Sequence, residues 1–159
     1  MKEILHILET DARTTPAQIA VQTGRSEEEV ADAIRQAERD GTILRYKTVV
    51  DWEKAGEEEV WALIEVRVAP QRDVGFDAVA ERIYRFPEAR SVYLGSGTYD
   101  LAVLVAGHTM QEVASFVAQR LASLESVQGT VTHFLLKRYK EDGVILAGEG
   151  KVDRLAISP

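Results

Sequence analysis

The chain has 159 residues, room for one ordinary domain or two small ones, and its 45% hydrophobic and 28% charged composition is that of a globular protein. No apolar run approaches the roughly 20 residues of a membrane helix, the first residues show no secretory pattern, and the absence of Cys excludes disulfides and thiolate metal sites. A cytoplasmic location is therefore expected, with no membrane partner. The net charge of −7 is unusual for a DNA partner, since Lys and Arg contacts to phosphate supply most non-specific affinity. Residues 1–50 hold 7 Lys and Arg against 9 Asp and Glu, and the rest hold 12 against 17. Charge placement rather than its total decides the local field.

Ile4, Leu5, Leu8 and Ala12 recur at helical spacing and predict a first helix over 2–11. Thr15-Pro16-Ala17-Gln18 opens a second over about 16–22, and Ser26-Glu27-Glu28-Glu29 opens a third over about 27–39. Both are capping boxes, in which a hydroxyl and a Glu or Gln three residues on satisfy each other's backbone N–H groups. Pro16 suits a first helical position, and Gly24 suits the left-handed turn between the helices. Helix, glycine turn and helix form the helix-turn-helix arrangement, whose target is a DNA major groove. Ile43 to Val50 is β-branched and aromatic and predicts a strand. Asp51 to Glu59 reads as a charged linker.

The pattern then changes. Val60, Ala62, Ile64, Val66 and Val68 alternate with Trp61, Leu63, Glu65 and Arg67 as in a strand. Phe76, Val79, Ala80, Ile83 and Tyr84 mark a helix that Phe86-Pro87 stops. Ser91 to Leu94 is a second strand. Leu101 to Ala106 is an unbroken apolar one, which predicts burial on both faces. Thr109-Met110-Gln111-Glu112 is a third capping box, leading a helix with Val113, Phe116, Val117, Leu121 and Leu124 on its stripe. Thr130 to Tyr139 is the last long strand. The order β-α-β repeats, roughly over 60–94 and 99–139, as in a ferredoxin-like βαββαβ domain with two helices on one sheet face. Trp61, Leu63 and Tyr93 fall on the other face, and an exposed apolar face implies a cover, here a second copy.

The expected class is α+β. An N-terminal, winged helix-turn-helix domain (1–50) and a linker (51–59) precede a ferredoxin-like domain (60–140). An extension follows (141–159) that adds an edge strand or clasps the partner subunit.

Chemistry for an enzyme is sparse. His6, His108 and His133 lie in no ligand-spaced motif, and there is no nucleophile elbow, P-loop or Rossmann glycine set. No catalytic group, metal or cofactor is expected. The Gly95–Asp100 segment is more informative. Its paired glycines permit positive φ and close backbone approach, and Thr98 and Asp100 add polar groups, which suits a small zwitterion. A plain hairpin turn explains the same glycines.

Several segments together resemble the Lrp/AsnC family of transcription regulators, over about Ile4 to Tyr139. They are Ile7-Leu8-Glu9-Thr10-Asp11-Ala12-Arg13, Ile19-Ala20, Gly24-Arg25-Ser26 and Glu38-Arg39-Asp40-Gly41-Thr42-Ile43. Gly97-Thr98-Tyr99-Asp100-Leu101 is similar to the family's Gly-x-x-Asp signature, and Val127 to Thr132 to the lead-in of its last strand. The resemblance implies a homodimer built through the ferredoxin-like domain, often assembled further into tetramers or octamers. It also implies an amino-acid effector held between dimers by Gly95, Gly97, Thr98, Tyr99 and Asp100, with Thr130 and Thr132.

The third helix departs from the family's basic pattern, with Glu27, Glu28, Glu29 and Asp32 in its first half. Candidate DNA contacts are Arg13, Thr15, Arg25, Ser26, Glu28, Arg35, Arg45 and Lys47. Arg25, Arg45 and Lys47 are expected to hold phosphates; the glutamates repel phosphate, and pairing to a cytosine amine is the one base contact a Glu offers. The expected function is an amino-acid-responsive DNA-binding regulator. Two alternatives stand beside it: a sensor or assembly protein that no longer reads DNA, and an enzyme resembling siroheme decarboxylases.

Overall fold

The computed structural model describes residues 1–69 and 75–146. Contacts group them into two compact units, Met1–Val49 and the chain from Val50 onward.

The first unit is three helices, α1 (Lys2–Thr10), α2 (Pro16–Thr23) and α3 (Glu27–Arg39). Each N-terminus of the α2–α3 pair is closed as its sequence dictates. Thr15 Oγ1 accepts from the Gln18 N–H at 3.3 Å while Gln18 Oε1 accepts from the Thr15 N–H at 2.9 Å. Ser26 Oγ and Glu29 Oε2 repeat this at 3.2 and 2.9 Å. Gly24 turns the chain with φ 68°, a conformation costly for a residue with a Cβ. Ile4, Leu8, Ile19, Ala20 and Val30 form the small core, with Ile7, Ala33, Ile34 and Ile43 packed on it. Full burial of one such aliphatic side chain contributes about 1.5–3 kcal/mol.

The strand expected over 43–50 is absent, and the chain there is irregular. Strands need a hydrogen-bonded neighbour, and three helices offer none. The stretch is instead tied to α3. The Ile43 N–H donates to the Ala37 carbonyl at 2.9 Å, and the Tyr46 hydroxyl donates to Glu38 Oε1 at 2.8 Å. Leu44 is left 90% exposed.

The second unit carries β1 (Val60–Val68), α4 (Phe76–Tyr84), β2 (Ala89–Leu94), β3 (Leu101–Gly107), α5 (Met110–Phe116) and β4 (Val127–Leu135). The strands form an antiparallel sheet in the order β2-β3-β1-β4. This is the order of the ferredoxin-like arrangement. The alternation in β1 sends Ala62, Ile64, Val66 and Val68 into the core, where they meet Val79 and Ile83 of α4 and Val113 and Phe116 of α5. Phe86 and Phe116 pack edge to face at 5.5 Å and lock the two helices together.

Several expectations shift. β2 begins at Ala89 rather than Ser91, and β4 spans 127–135 rather than 130–139. The pairing of Val68 with Val127 extends β4 backwards, and Leu135 is its last residue, opposite Trp61. β3 is central, yet its second face is only half-buried at Ala102 and Leu104, because no layer of this unit's described residues covers it. Tyr84 is 58% exposed rather than buried. The helix after Thr109 leaves α geometry at Val117, and a π turn (Val117–Leu121) follows. Its signature is the Ala122 N–H donating five residues back to the Val117 carbonyl at 2.8 Å. The wider turn keeps Val117 and Leu121 buried. The third capping box is altered as well: Thr109 Oγ1 accepts from Glu112 at 3.1 Å, but Glu112 reaches back to the His108 N–H at 2.8 Å.

Residues 51–56 fold into turns rather than a plain linker, with the Ala55 N–H on the Asp51 carbonyl at 3.1 Å. Glu59 accepts from the Trp61 indole at 3.1 Å and pairs with Arg90 at 3.7 Å. Beyond β4, Lys140–Glu141 (β5) and Val144–Ile145 (β6) make a separate two-stranded ribbon and not an edge of the main sheet. The rest of the expected extension, 147–159, lies outside the described residues. No helix among the described residues is long and apolar enough to cross a membrane.

Candidate functional site

α3 presents its reading face at an exposed line of Glu28, Asp32, Arg35 and Arg39, spaced by four, three and four residues. The N-terminal half of this line is acidic and the C-terminal half basic. Arg35 is engaged by Asp32, and Arg39 donates to Gln36 Oε1 at 2.8 Å. Glu27, Glu28 and Glu29 sit in the first turn, where the helix dipole favours anions. The backbone and side-chain hydrogen bonds from Ser26 hold the Glu29 carboxyl below its ordinary value.

The candidate DNA contacts divide by what their side chains already do. Thr15 and Ser26 serve the caps. Arg13 and Arg45 are exposed and have no side-chain partner among the described residues, and Arg25 lies near enough to Glu29 to favour its charged form. Lys47 is exposed. Arg25 precedes α3, and Arg45 and Lys47 lie on the stretch after it. The unforeseen feature is the helix's charge polarity, legible from the spacing of Arg35 and Arg39 once the face is known. Burial, and then the bond to Glu38, push the Tyr46 hydroxyl above its ordinary value.

The Gly95–Asp100 loop joins β2 to β3 at one end of the sheet. Its neck closes through the Gly95 N–H on the Asp100 carbonyl at 2.8 Å. Asp100 then braces the loop against β1: its N–H donates to the Val66 carbonyl at 3.0 Å, and its Oδ2 accepts from the Val68 N–H at 2.7 Å. Only Gly97 of the two expected glycines has positive φ, at 140°. Gly95 lies against the Tyr99 ring, where a Cβ would make an ordinary contact at 3.4 Å. Gly95, Gly97, Thr98, Tyr99 and Asp100 are therefore one constructed unit. Thr130 and Thr132 are not adjacent to it. They pair with Val66 and Ile64, so β1 intervenes, and alternation turns them to the helix-covered face.

The opposite face is open. Leu63 stands between Leu104 and His133, and Glu65 between Ala102 and Val131. His133 Nε2 and Glu65 Oε1 are 3.2 Å apart. Tyr93 is 61% exposed at the edge. At the loop end, the β1–β4 register slips between Arg67 and Val68, so that Arg67 faces Gly129 while Val68 faces Val127.

Comparison with known proteins agrees with this geometry. A family profile described as the Lrp/AsnC ligand binding domain matches residues 61–145. An uncharacterized HTH-type transcriptional regulator of Bacillus subtilis, YugG, is 46% identical over 158 residues, covering 99% of this chain and 95% of the relative. Among solved structures, a transcriptional regulator of Neisseria meningitidis in complex with L-Met has a TM-score of 0.72 at 23% identity, covering 91% of this chain and 94% of that one. A feast or famine regulatory protein of M. tuberculosis complexed with L-methionine has a TM-score of 0.73 at 21% identity, with coverages of 91% and 95%.

Proposed function

Because the chain belongs to the Lrp/AsnC family of transcription regulators, we propose that it binds double-stranded DNA through α3 and adjusts that binding to a free amino acid. The helix-turn-helix core supports the first half of this reading. α3 is capped, rigidly packed through Val30 and Ala37, and exposed along its opposite side. Arg13, Arg25, Arg45 and Lys47 supply phosphate contacts, and Arg35 and Arg39 extend them along the basic half of α3. Few cations per subunit make binding modest, so two or more linked copies supply avidity. The open sheet face takes a second copy, and the dimers assemble further.

The braced Gly95–Asp100 loop is the effector site. Its backbone N–H groups suit a carboxylate. An effector seated there biases how dimers associate and thereby the spacing of their reading helices. The regulators of N. meningitidis and M. tuberculosis were solved with L-methionine, which makes methionine a first probe. The relatives carry the names of transcription regulators, and the same reading makes this chain a regulator acting in the cytoplasm rather than an enzyme.

Fluorescence anisotropy with DNA from beside the chain's own gene, at low salt and with each amino acid, tests the reading. Binding with a shallow salt slope, shifted by one amino acid, is expected. No binding by the assembled protein under any of these conditions sinks it. The acidic half of α3 favours one second reading, a sensor that acts through assembly alone. On that reading amino acids change the assembly size while DNA is never bound. Absorbance after tetrapyrrole addition tests the enzyme alternative.

A further inference from the structure

Residues 43–50 have no regular secondary structure, yet they carry two of the candidate phosphate contacts, Arg45 and Lys47. The stretch is fastened at its start to the end of α3. The Thr42 N–H donates to Asp40 Oδ1 at 3.0 Å, the Ile43 N–H donates to the Ala37 carbonyl at 2.9 Å, and the Ile43 side chain packs on the helical core. After Ile43 the chain leaves that core, and Leu44, Arg45, Lys47 and Thr48 are all exposed. Tyr46 returns it to α3. Its hydroxyl donates to Glu38 Oε1 at 2.8 Å, across a separation of eight residues.

Glu38 stands three residues beyond Arg35 and directly before Arg39, so it flanks the basic half of α3. Consecutive Cα atoms lie about 3.8 Å apart, so a fixed Tyr46 holds the backbone of Arg45 and Lys47 beside that half. Arg35, Arg39, Arg45 and Lys47 are thereby gathered at the C-terminal end of α3, away from Glu27, Glu28 and Glu29 in its first turn. The carboxylate acceptor makes the bond stronger than one between neutral groups. Burial, and then Glu38, hold the phenol above its ordinary value, so it stays a donor throughout the neutral range. Long cationic side chains lose freedom when they dock on phosphate, and a backbone ordered beforehand lowers the cost of binding.

We propose that Tyr46 is a positioning residue for DNA binding: through Glu38 it holds Arg45 and Lys47 beside the basic half of α3 before DNA arrives. The proposal rests on the reading of α3 and its neighbouring cations as the DNA interface. It gives Tyr46 itself no contact with DNA.

The test is fluorescence anisotropy of the full-length protein on a random-sequence duplex, at salt concentrations between about 50 and 200 mM. Wild type, Tyr46→Phe, the pair Arg45→Gln with Lys47→Gln, and the triple variant are compared. Tyr46→Phe removes the donor and keeps the ring. It should weaken binding at least about threefold, within the range of one hydrogen bond, and lower the salt slope by about one. The paired glutamine variant should lower the slope by about two. In that background Tyr46→Phe should cost nothing more, because the cations it places are gone. This last comparison is made at about 50 mM salt, where binding is strongest. If affinity or salt slope is unchanged in Tyr46→Phe, the proposal is wrong while the DNA reading survives. An equal loss on going to the triple variant means that Tyr46 acts without Arg45 and Lys47, and also overturns it. If the circular dichroism of Tyr46→Phe is no longer native, Tyr46 is a packing residue and the proposal is wrong. If the wild type binds no duplex at any of these salt concentrations, the DNA reading itself fails and this assignment with it.

Discussion

Ser26 and Glu29 close the first turn of α3 on each other, and their exchange has two measurable consequences. Ser26→Ala removes the acceptor for the Glu29 N–H and should lower unfolding stability by about 1 kcal/mol in urea denaturation. It should also let the Glu29 carboxyl return part of the way towards its ordinary value, since the hydroxyl bond is lost while the larger contribution, the backbone N–H at position 26, remains. A carboxyl depressed in the folded state contributes stability above its unfolded value, lost as the pH falls through the folded one. Acidification below the ordinary glutamate range should therefore cost the wild type more than the Ser26→Ala variant, and an NMR titration of Glu29 reads the shift directly. Asp100 is the second residue whose part is visible only in the fold. Its sequence context suggests a ligand for an ammonium, whereas its Oδ2 holds the Val68 N–H. Asp100→Ala should lower stability by about 1.5–3 kcal/mol, the range for a hydrogen bond to a charged group. Asp100→Asn, which keeps an acceptor, should recover part of that loss in thermal denaturation.

α3 carries its own contradiction at the element scale. The glutamates that suit its N-terminus repel phosphate, and Asp32 engages the arginine next in line, Arg35. Glu28→Arg together with Asp32→Arg should raise affinity for random-sequence DNA and steepen the salt dependence by about one to two units, as each added phosphate contact contributes about 0.9. Anisotropy between 50 and 200 mM salt measures it. An increase from a measurable wild-type affinity fits a weak reader, and an increase from nothing fits an assembly protein. The bounds of α3 were legible in the chain because Ser26 and Asp40-Gly41 punctuate both ends. Residues 43–50 were misread for the opposite reason. Their strand propensity is real, but a strand exists only in a pair, and no partner strand belongs to the same unit. The π turn after α5 was equally invisible, because Val113, Phe116, Val117 and Leu121 fit helical spacing whether or not the turn widens.

At the scale of the whole molecule, the sheet has one covered face and one open one. Leu63 and Leu104 are paired at its centre, half-buried with no layer of the unit's described residues above them. A single Glu there contacts little in the isolated unit but disrupts an apolar contact between copies. If the open face takes a second copy, as proposed, Leu104→Glu should yield a monomer in sedimentation velocity while leaving the circular dichroism native. A variant that remains dimeric would place the interface elsewhere. Short-range sequence alone determined the two helical caps, through their capping boxes, and, through hydrophobic periodicity, the four strands' existence and the ferredoxin-like order, because these depend on neighbours within a few residues and on the two-residue period of a sheet. Only the tertiary structure decided that Asp100 is a brace and that Thr130 and Thr132 face away from the loop they were grouped with. Each of those depends on strand register, and register is set by pairing between segments 35 to 74 residues apart.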